Sequence, residues 1–364
     1  MKKTSTVLTI LSAVLILASS CKDNKNDNPT PTYDIPTTYN FTNADFSDAT
    51  TRLSMVTEMS NLMKVATTGT LDGQTLKNMF ANTNSPFTGA AAAYNTSGLQ
   101  IKNQCATLLQ TDVSNYIDTL VKASKSGVPA SRGVAGVGAS SANPASKYAL
   151  NGRGANYAQI FNKSVMGGLI TYQIVNSMSA AMGSSLDNTT VVAGKGTAAE
   201  HNWDIAFGYW GVPIDFPTNK TGAKLWGSYS TQVDSGFHAN KILMDAFLKG
   251  RAAISNKDNK TRDEQATIIL QTMERLTGAA VLQEVKEIKE SLNDNMARNS
   301  RLSECYGFVY SLKYNPKRKI TDAQIDAILA LFPASFYDLT LEQVNAIRDA
   351  VAKQYDFESV KDIL

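Results

Sequence analysis

The sequence predicts an all-α protein built from helical bundles. Apolar residues recur about every 3.6 positions along most of the chain, and capping residues bound many of these stretches. The alternation of apolar and polar residues that is typical of strands is almost absent. About 320 residues remain after the N-terminal region, which is enough for two packed helical bundles.

The first 20 residues are typical of a secretory signal peptide. Two lysines precede an apolar run from Val7 to Ala18, which is too short to span a bilayer with margin. Small residues follow, and the stretch Leu17–Cys21 resembles the lipobox of bacterial lipoproteins, in which the cysteine after the cut carries the lipid. We therefore expect residues 1–20 to be removed and Cys21 to be lipidated. The alternative is an ordinary secreted protein with a cysteine there by chance.

Residues 21–40 are predicted to form a flexible tether, because Asn, Asp, Pro and Thr dominate this segment. Residues 41–364 form the predicted all-α domain. The formal charge of +3 falls to +1 when the two lysines of the signal peptide are removed. A nearly neutral protein offers no electrostatic footprint for nucleic acid. We expect a protein anchored by lipid in the cell envelope, at the outer membrane, on either its periplasmic or its outer face.

Four helices are predicted in the first half of the chain from apolar residues at helical spacing. They cover residues 45–68, 72–80, 99–123 and 154–182. The third has the most sustained apolar stripe. Between the last two, residues 127–146 are rich in Gly, Ala, Ser and Pro and contain almost no large apolar side chain. This segment is predicted to be a mobile loop.

The second half is predicted to begin with a helix over residues 198–210. Thr197 and Glu200 have the spacing of a capping box at its start, and Gly211 ends it. Three more amphipathic helices are predicted at residues 233–255, 261–293 and 296–314. Two short tail helices begin with the further capping boxes Thr321/Gln324 and Thr340/Gln343.

Glu200, His201 and Asp204 form a polar strip on the helix 198–210. His201 and Asp204 are three residues apart on one face, a spacing that suits two ligands of one metal ion. Glu304 lies in a second motif-like cluster on another helix and is the predicted additional carboxylate ligand. Such a set suits iron or zinc without deciding between them. The alternative is that Glu200 caps the helix, Asp204 is solvated or hydrogen-bonded, and His201 is a partly buried hydrogen-bonded side chain.

The same helix carries three aromatic residues at helical spacing, Trp203, Phe207 and Trp210. We interpret them as core residues rather than as a platform for a ligand, because aromatic residues at this spacing usually pack inside a protein. Besides Cys21, the chain contains Cys105 and Cys305. These two either form a disulfide or remain buried free thiols.

Four short motifs together resemble a family of uncharacterised Bacteroidota lipoproteins that contain a domain of unknown function. The motifs are Gly152-Arg153-Gly154-x-x-Tyr157 with Met166-Gly167-Gly168, Glu200-His201-x-x-Asp204-x-Ala206-Phe207-Gly208-Tyr209, Phe247-x-Lys249-Gly250-Arg251 and Ser303-Glu304-x-x-Gly307-Phe308. That family is distantly similar to the imelysin-like proteins, which are helical-bundle envelope proteins linked to iron uptake. Their Gly-x-His-x-x-Glu hallmark corresponds loosely to residues 199–204, with Ala199 and Asp204 in place of the glycine and the glutamate.

The resemblance implies an envelope lipoprotein that binds iron, haem or an iron-carrying ligand beside a partner of an uptake system. One alternative is a metallopeptidase of imelysin type, which requires a metal with an open position and a general base. Another is a non-catalytic scaffold for a protein partner, which would expose an apolar patch. The chain has neither a His-Glu-x-x-His motif nor a Gly-x-Ser-x-Gly elbow. These observations favour binding over catalysis.

Overall fold

Helices make up most of the described chain, as the sequence predicts. A computed structural model describes residues 32–183 and 185–364, and residues 35–364 form one compact unit. The predicted signal peptide, Cys21 and most of the predicted tether lie outside the described residues. No helix within the described ranges is long and apolar enough to cross a membrane.

The α-helices follow one another along the chain, and 3₁₀ turns lie in several of the connections between them. They are α1 (Ser47–Met63), α2 (Gly73–Ala81), α3 (Thr107–Ser124), α4 (Tyr157–Val165), α5 (Tyr172–Ala181), α6 (Ala198–Trp210), α7 (Trp226–Gln232), α8 (Asp234–Phe237), α9 (Ala239–Ser255), α10 (Asn259–Glu290), α11 (Asn295–Ser311), α12 (Asp322–Leu329) and α13 (Leu341–Tyr355). A π-helical segment, Met166–Thr171, joins α4 to α5. Strands β1 (Gly136–Ala139) and β2 (Lys147–Leu150) form an antiparallel pair.

The long helix α10 is the centre of the bundle and packs against α9, α11 and α13. Its buried residues, such as Ile269, Leu276 and Val285, lie on the faces that these neighbours cover. Helix α6 packs against α1, α5 and α9, and α4 packs against α3 and α11. The candidate site residues of α6 and α11 are therefore held on elements of the interior.

All three predicted capping boxes are present. The hydroxyl groups of Thr197, Thr321 and Thr340 each accept a hydrogen bond from the backbone amide three residues later, and the side chain at that later position accepts one from the threonine amide. Each box satisfies two amides that the first turn of a helix leaves unpaired. These three helix starts were therefore predicted correctly.

Two predicted helices have different limits in the structure. The helix predicted from residue 99 starts only at Thr107, because Cys105 is extended and Ala106 donates its amide to the carbonyl of Gly168. The helix predicted over 233–255 is broken at His238, which has a left-handed backbone with a φ of 57°. In both places a local backbone arrangement overrides the apolar periodicity.

The tether predicted for residues 21–40 ends earlier than expected, since the compact unit begins at Ile35. Tyr39 is 1% exposed, and its amide donates to the carbonyl of Ile214. Its ring stacks on that of Phe207, with centroids 3.7 Å apart. The segment is mostly polar, but the buried Tyr39 side chain fixes it to the core.

The segment 127–146, predicted to be a loop throughout, contains strand β1. Val137 of β1 lies opposite Ala149 of β2. A side chain at Gly136 would overlap the carbonyl oxygen of Val128, and one at Gly138 would overlap the sulfur of Met296. Glycine at these two positions lets the neighbouring groups pack closely against β1. The glycine-rich composition that predicts a loop is therefore also required by this tightly packed hairpin.

Candidate functional site

Helix α6 places an aromatic face in the core. Trp203, Phe207 and Trp210 are fully buried, which confirms their interpretation as core residues. The indole nitrogen of Trp203 donates to the carbonyl of Phe247 at 3.0 Å, and the Trp210 ring stacks on the Phe247 ring. This packing fixes α6 against α9 and thereby sets the positions of the polar residues between the aromatic ones.

Arg251 joins the two carboxylates of the predicted strip in a buried ion-pair network. Its Nε lies 2.8 Å from Oδ1 of Asp204, and its Nη1 lies 2.7 Å from Oε1 of Glu200. The hydroxyl of Tyr39 donates to the same Asp204 oxygen at 2.8 Å. The Asp204 and Arg251 side chains are 0% and 1% exposed. This network, which we call the Arg251 network, connects the N-terminal segment, α6 and α9.

Burial and neighbouring charge act on these carboxyl groups in opposite directions. Burial raises the pKa of Asp204 to about 6, although the Arg251 charge opposes the increase. Burial also acts to raise the pKa of Glu200, but hydrogen bonds from Ser255 and from the Thr197 amide, together with the Arg251 charge, hold it below its ordinary value. Glu200 therefore both caps the start of α6 and pairs with Arg251. The capping role is the one that the alternative to metal binding predicts for Glu200.

His201 is half-buried and makes no hydrogen bond or ion pair with the described residues of the Arg251 network. It lines a cleft of about 250 Å³ together with Asp187, Val192 and Lys195. Burial lowers its pKa, the Lys195 charge lowers it further, and contacts with Asp45 oppose this. Its Nδ1 is buried and has no hydrogen-bond partner among the described residues. The neutral imidazole is thus favoured.

Glu304 belongs to a second buried network, the Lys163 network. The Lys163 ammonium of α4 lies 2.7 Å from Oε2 of Glu304, and the two side chains are 8% and 4% exposed. The Tyr229 hydroxyl lies 3.2 Å from Oε2 of Glu304 and 2.9 Å from Oε1 of Glu284. Arg301, which is 42% exposed, reaches Oε1 of Glu304 at 3.2 Å. This network joins α4, α7, α10 and α11.

Inside this network the Lys163 ammonium faces the two buried carboxyl groups of Glu284 and Glu304, which differ in protonation. Burial raises the pKa of Glu284 to about 8, and the negative charge of Glu304 contributes to the increase. Burial acts in the same direction on Glu304, but the Lys163 and Arg301 charges hold its pKa below the ordinary value. At neutral pH, Glu304 is therefore the ionised partner of Lys163 and Glu284 carries a proton.

The structure does not bring the four predicted metal ligands together. Asp204 and Glu200 are paired with Arg251, Glu304 is paired with Lys163, and His201 faces a separate cleft. Among residues 32–183 and 185–364, no group of three His, Cys, Asp or Glu side chains is arranged to hold a metal ion. Their assignment as ligands of one metal remains a prediction, and the observed partners are cationic side chains.

Two further clefts with a shared part of their lining lie elsewhere, between the end of α1, the end of α3, the hairpin and α4. Their volumes are about 590 and 300 Å³, and they share Ala66, Thr67 and Lys147 as lining residues. Lys64 also lines the smaller cleft. No Asp or Glu is among the described residues that line either cleft.

Residues 36–358 match the family described as Domain of unknown function (DUF4856). The chain belongs to this family. No curated protein and no solved structure matches the chain.

Within this DUF4856 domain, the motifs that stand out in the sequence contribute residues to both buried networks. Arg251 follows Gly250 in one motif, and Glu304 lies in another. Sequence reasoning missed Lys163, Tyr229 and Glu284 as functional partners, because charged and hydroxyl residues in amphipathic helices are normally solvated. Only the Phe-x-Lys-Gly-Arg motif gave a signal that could have identified Arg251.

Cys105 and Cys305, whose pairing the sequence left open, are both buried free cysteines. Burial raises the pKa of each thiol. The Cys105 thiol donates to the carbonyl of Ile101 at 3.3 Å. Both are packing residues with low thiolate character, so neither has the features of a reactive nucleophile.

Proposed function

We propose that this chain is a lipid-anchored binding protein of the cell envelope that holds a small organic anion in the two joined clefts. The observation that supports this proposal is the charge of the cleft walls. No ion pair between described residues includes Lys64 or Lys147, the Lys64 ammonium donates only to the uncharged Oδ1 of Asn61 at 3.2 Å, and the described lining residues include no carboxylate. Two unneutralised ammonium groups make the cleft attractive to a negatively charged ligand.

The smaller cleft adds uncharged donors to the two lysines. Tyr148, Gln159 and Asn162 all line it. Asn162 accepts a hydrogen bond through Oδ1 from Ser60 at 2.6 Å, which leaves its amino group available to a ligand. Ammonium, phenol and amide donors around one cavity suit carboxylate or phosphate oxygens. The combined volume is in the range of pockets that bind small molecules.

Among the ligands implied by the resemblance, an iron-carrying organic anion fits this cleft best. Bare iron requires free carboxylate or imidazole ligands, and the carboxylates of Asp204, Glu200 and Glu304 are neutralised by Arg251 and Lys163. A metal complex of an organic acid presents its negative oxygens outward, so lysine and amide donors can bind it without coordinating the metal.

Calorimetric titration with citrate and with ferric citrate, used as probe anions, tests the binding. We expect saturable binding that Lys147→Ala and Lys64→Ala each weaken about tenfold or more, because a hydrogen bond to a charged group contributes about 1.5–3 kcal/mol. Lys102→Ala is the matched control, since Lys102 is exposed and lies outside both clefts. If the wild type binds the anion and the two cleft variants bind it equally tightly, the proposed site is wrong. Binding of citrate equal to that of ferric citrate would show that iron is not part of recognition.

Membrane anchoring is tested separately by replacing Cys21 with alanine. We expect the variant protein to move from the membrane fraction to the soluble fraction, because the acyl chains of a lipidated cysteine supply the membrane affinity. An unchanged distribution between the two fractions would contradict lipid anchoring at Cys21.

A further inference from the structure

An apolar loop tip precedes helix α6. Val191 is 60% exposed and Val192 is 54% exposed, and Val191 is the most exposed large apolar side chain among the described residues. Ala193 and Lys195 complete the exposed tip. Residues 188–195 contain no acidic side chain. Two adjacent valines next to a lysine form a surface that water solvates poorly.

Hydrogen bonds on both sides of the tip fix its shape. Oδ1 of Asp187 accepts the amides of Thr189 and Thr190 at 2.7 and 3.2 Å. Val192 and Gly196 exchange two backbone hydrogen bonds of 2.8 and 2.9 Å. The valines are thus presented by a turn that is held by hydrogen bonds on both sides.

The tip contacts the segment through which the chain enters the compact unit. The amide of Gly194 donates to Oδ1 of Asn43 at 3.2 Å. Four residues earlier in this segment, the amide of Tyr39 donates to Ile214, another exposed apolar residue. Cys21 is 14 residues before Ile35 in the sequence, and 14 residues cannot span more than about 50 Å even when fully extended. A lipid on Cys21 would therefore limit how far this segment can lie from the bilayer.

We propose that the Val191–Val192 tip inserts into the interfacial region of the bilayer to which Cys21 is anchored, with Lys195 directed at lipid phosphates. This inference rests on the lipid anchoring of the proposed function but not on its ligand. A short apolar insertion beside a basic residue binds weakly alone. The anchor supplies the high local concentration that makes the weak contact persistent, and the contact in turn fixes the orientation of the domain on the membrane.

The test uses the chain from Cys21 onward, coupled through Cys21 to maleimide lipid in vesicles of phosphatidylcholine and phosphatidylglycerol. Cys105 and Cys305 are buried, which directs coupling to Cys21. Val192→Trp places a fluorophore at the tip, and vesicles with brominated phosphatidylcholine quench tryptophans that reach the acyl chains. The native tryptophans Trp203, Trp210 and Trp226 are 0% exposed. Leu341→Trp, at a residue 50% exposed on α13, is the matched control.

We expect the Val192→Trp emission to shift to shorter wavelength on the vesicles and to be largely lost with brominated lipid, while the Leu341→Trp emission stays as in solution. Adding Val191→Asp should restore the tip emission. Equal quenching of both tryptophans, or of neither, would overturn the proposal. Since the maleimide lipid replaces the natural anchor, this result is independent of whether Cys21 is lipidated in the cell, which the Cys21→Ala fractionation decides.

Discussion

Replacing Glu284 with glutamine is expected to stabilise the protein increasingly as the pH rises from about 5 to about 8, and to have little effect below pH 5. Oε1 of Glu284 accepts a hydrogen bond from Tyr229, and Oε2 is buried without a partner. Glutamine keeps the accepting oxygen and replaces the protonated oxygen with an amino group of similar size. Glu284→Gln therefore imitates the neutral state of this residue and removes only its ability to ionise.

The direction of the pH effect follows from the two protonation states. The pKa of Glu284 is raised to about 8 in the folded protein from an ordinary value of 4.5. Between these values the unfolded chain has lost the proton and the folded protein keeps it. The stabilisation is complete below pH 4.5 and is lost as the pH rises to 8, at about 1.4 kcal/mol per pH unit. From pH 5 to pH 8 the free energy of unfolding of the wild type should therefore fall by about 4 kcal/mol relative to Glu284→Gln.

Urea unfolding of both proteins at several pH values between 5 and 8 measures this difference. Other groups whose pKa changes on folding, such as Asp204, contribute equally to both proteins and cancel in the comparison. Glu290→Gln, at an exposed position on the same helix, controls for the loss of one carboxylate. Parallel pH profiles of the wild type and Glu284→Gln would refute the reasoning, because they would mean that burial does not keep Glu284 protonated.

Three further predictions test the packing. Gly250→Ala should destabilise the protein by about 1–3 kcal/mol or more, since its new methyl group would overlap the Trp203 ring, whereas Gly69→Ala, which meets no atom closer than 3.9 Å, should be nearly neutral in the same urea unfolding assay. Trp203→Ala should cost about 3–5 kcal/mol without any ligand present, and an unchanged midpoint of unfolding would contradict its core role. The thiols of Cys105 and Cys305 should react with a thiol reagent only after unfolding, so rapid labelling of the native protein would show that they are accessible.

The fold class and the helix starts were predictable because the signals are local. Thr321 and Gln324 stand three residues apart, and their hydrogen bonds are formed within one turn. The hairpin was not predictable in the same way. Gly136 and Gly138 are needed where Val128 and Met296 approach β1, and a single sequence shows the glycines but not the neighbours that require them.

The sequence singled out Glu200, Asp204 and Glu304 but not the cations with which they pair. The motif that contains Glu304 was identified, yet its partner Lys163 lies on α4, far away in the sequence. A lysine in an amphipathic helix is usually exposed, so nothing local indicates that Lys163 is buried. The pairing depends on how α4 packs against α11, which is determined by the tertiary structure.

The angular positions of Glu200, His201 and Asp204 on α6 explain why two of these residues pair with Arg251 and the third does not. Each residue turns the helix by about 100°, so Glu200 and Asp204 differ by about 40° and can share one partner, whereas His201 lies about 100° from Glu200 and about 60° from Asp204. Asp204 is fully buried beside Trp203, so its charge requires a cation, and α9 supplies Arg251. His201 is turned towards the cleft beside the loop tip. A metal ion at Asp204 or Glu200 would compete with Arg251 for the same carboxylates, and losing them would leave the Arg251 charge buried without a partner, which is strongly unfavourable.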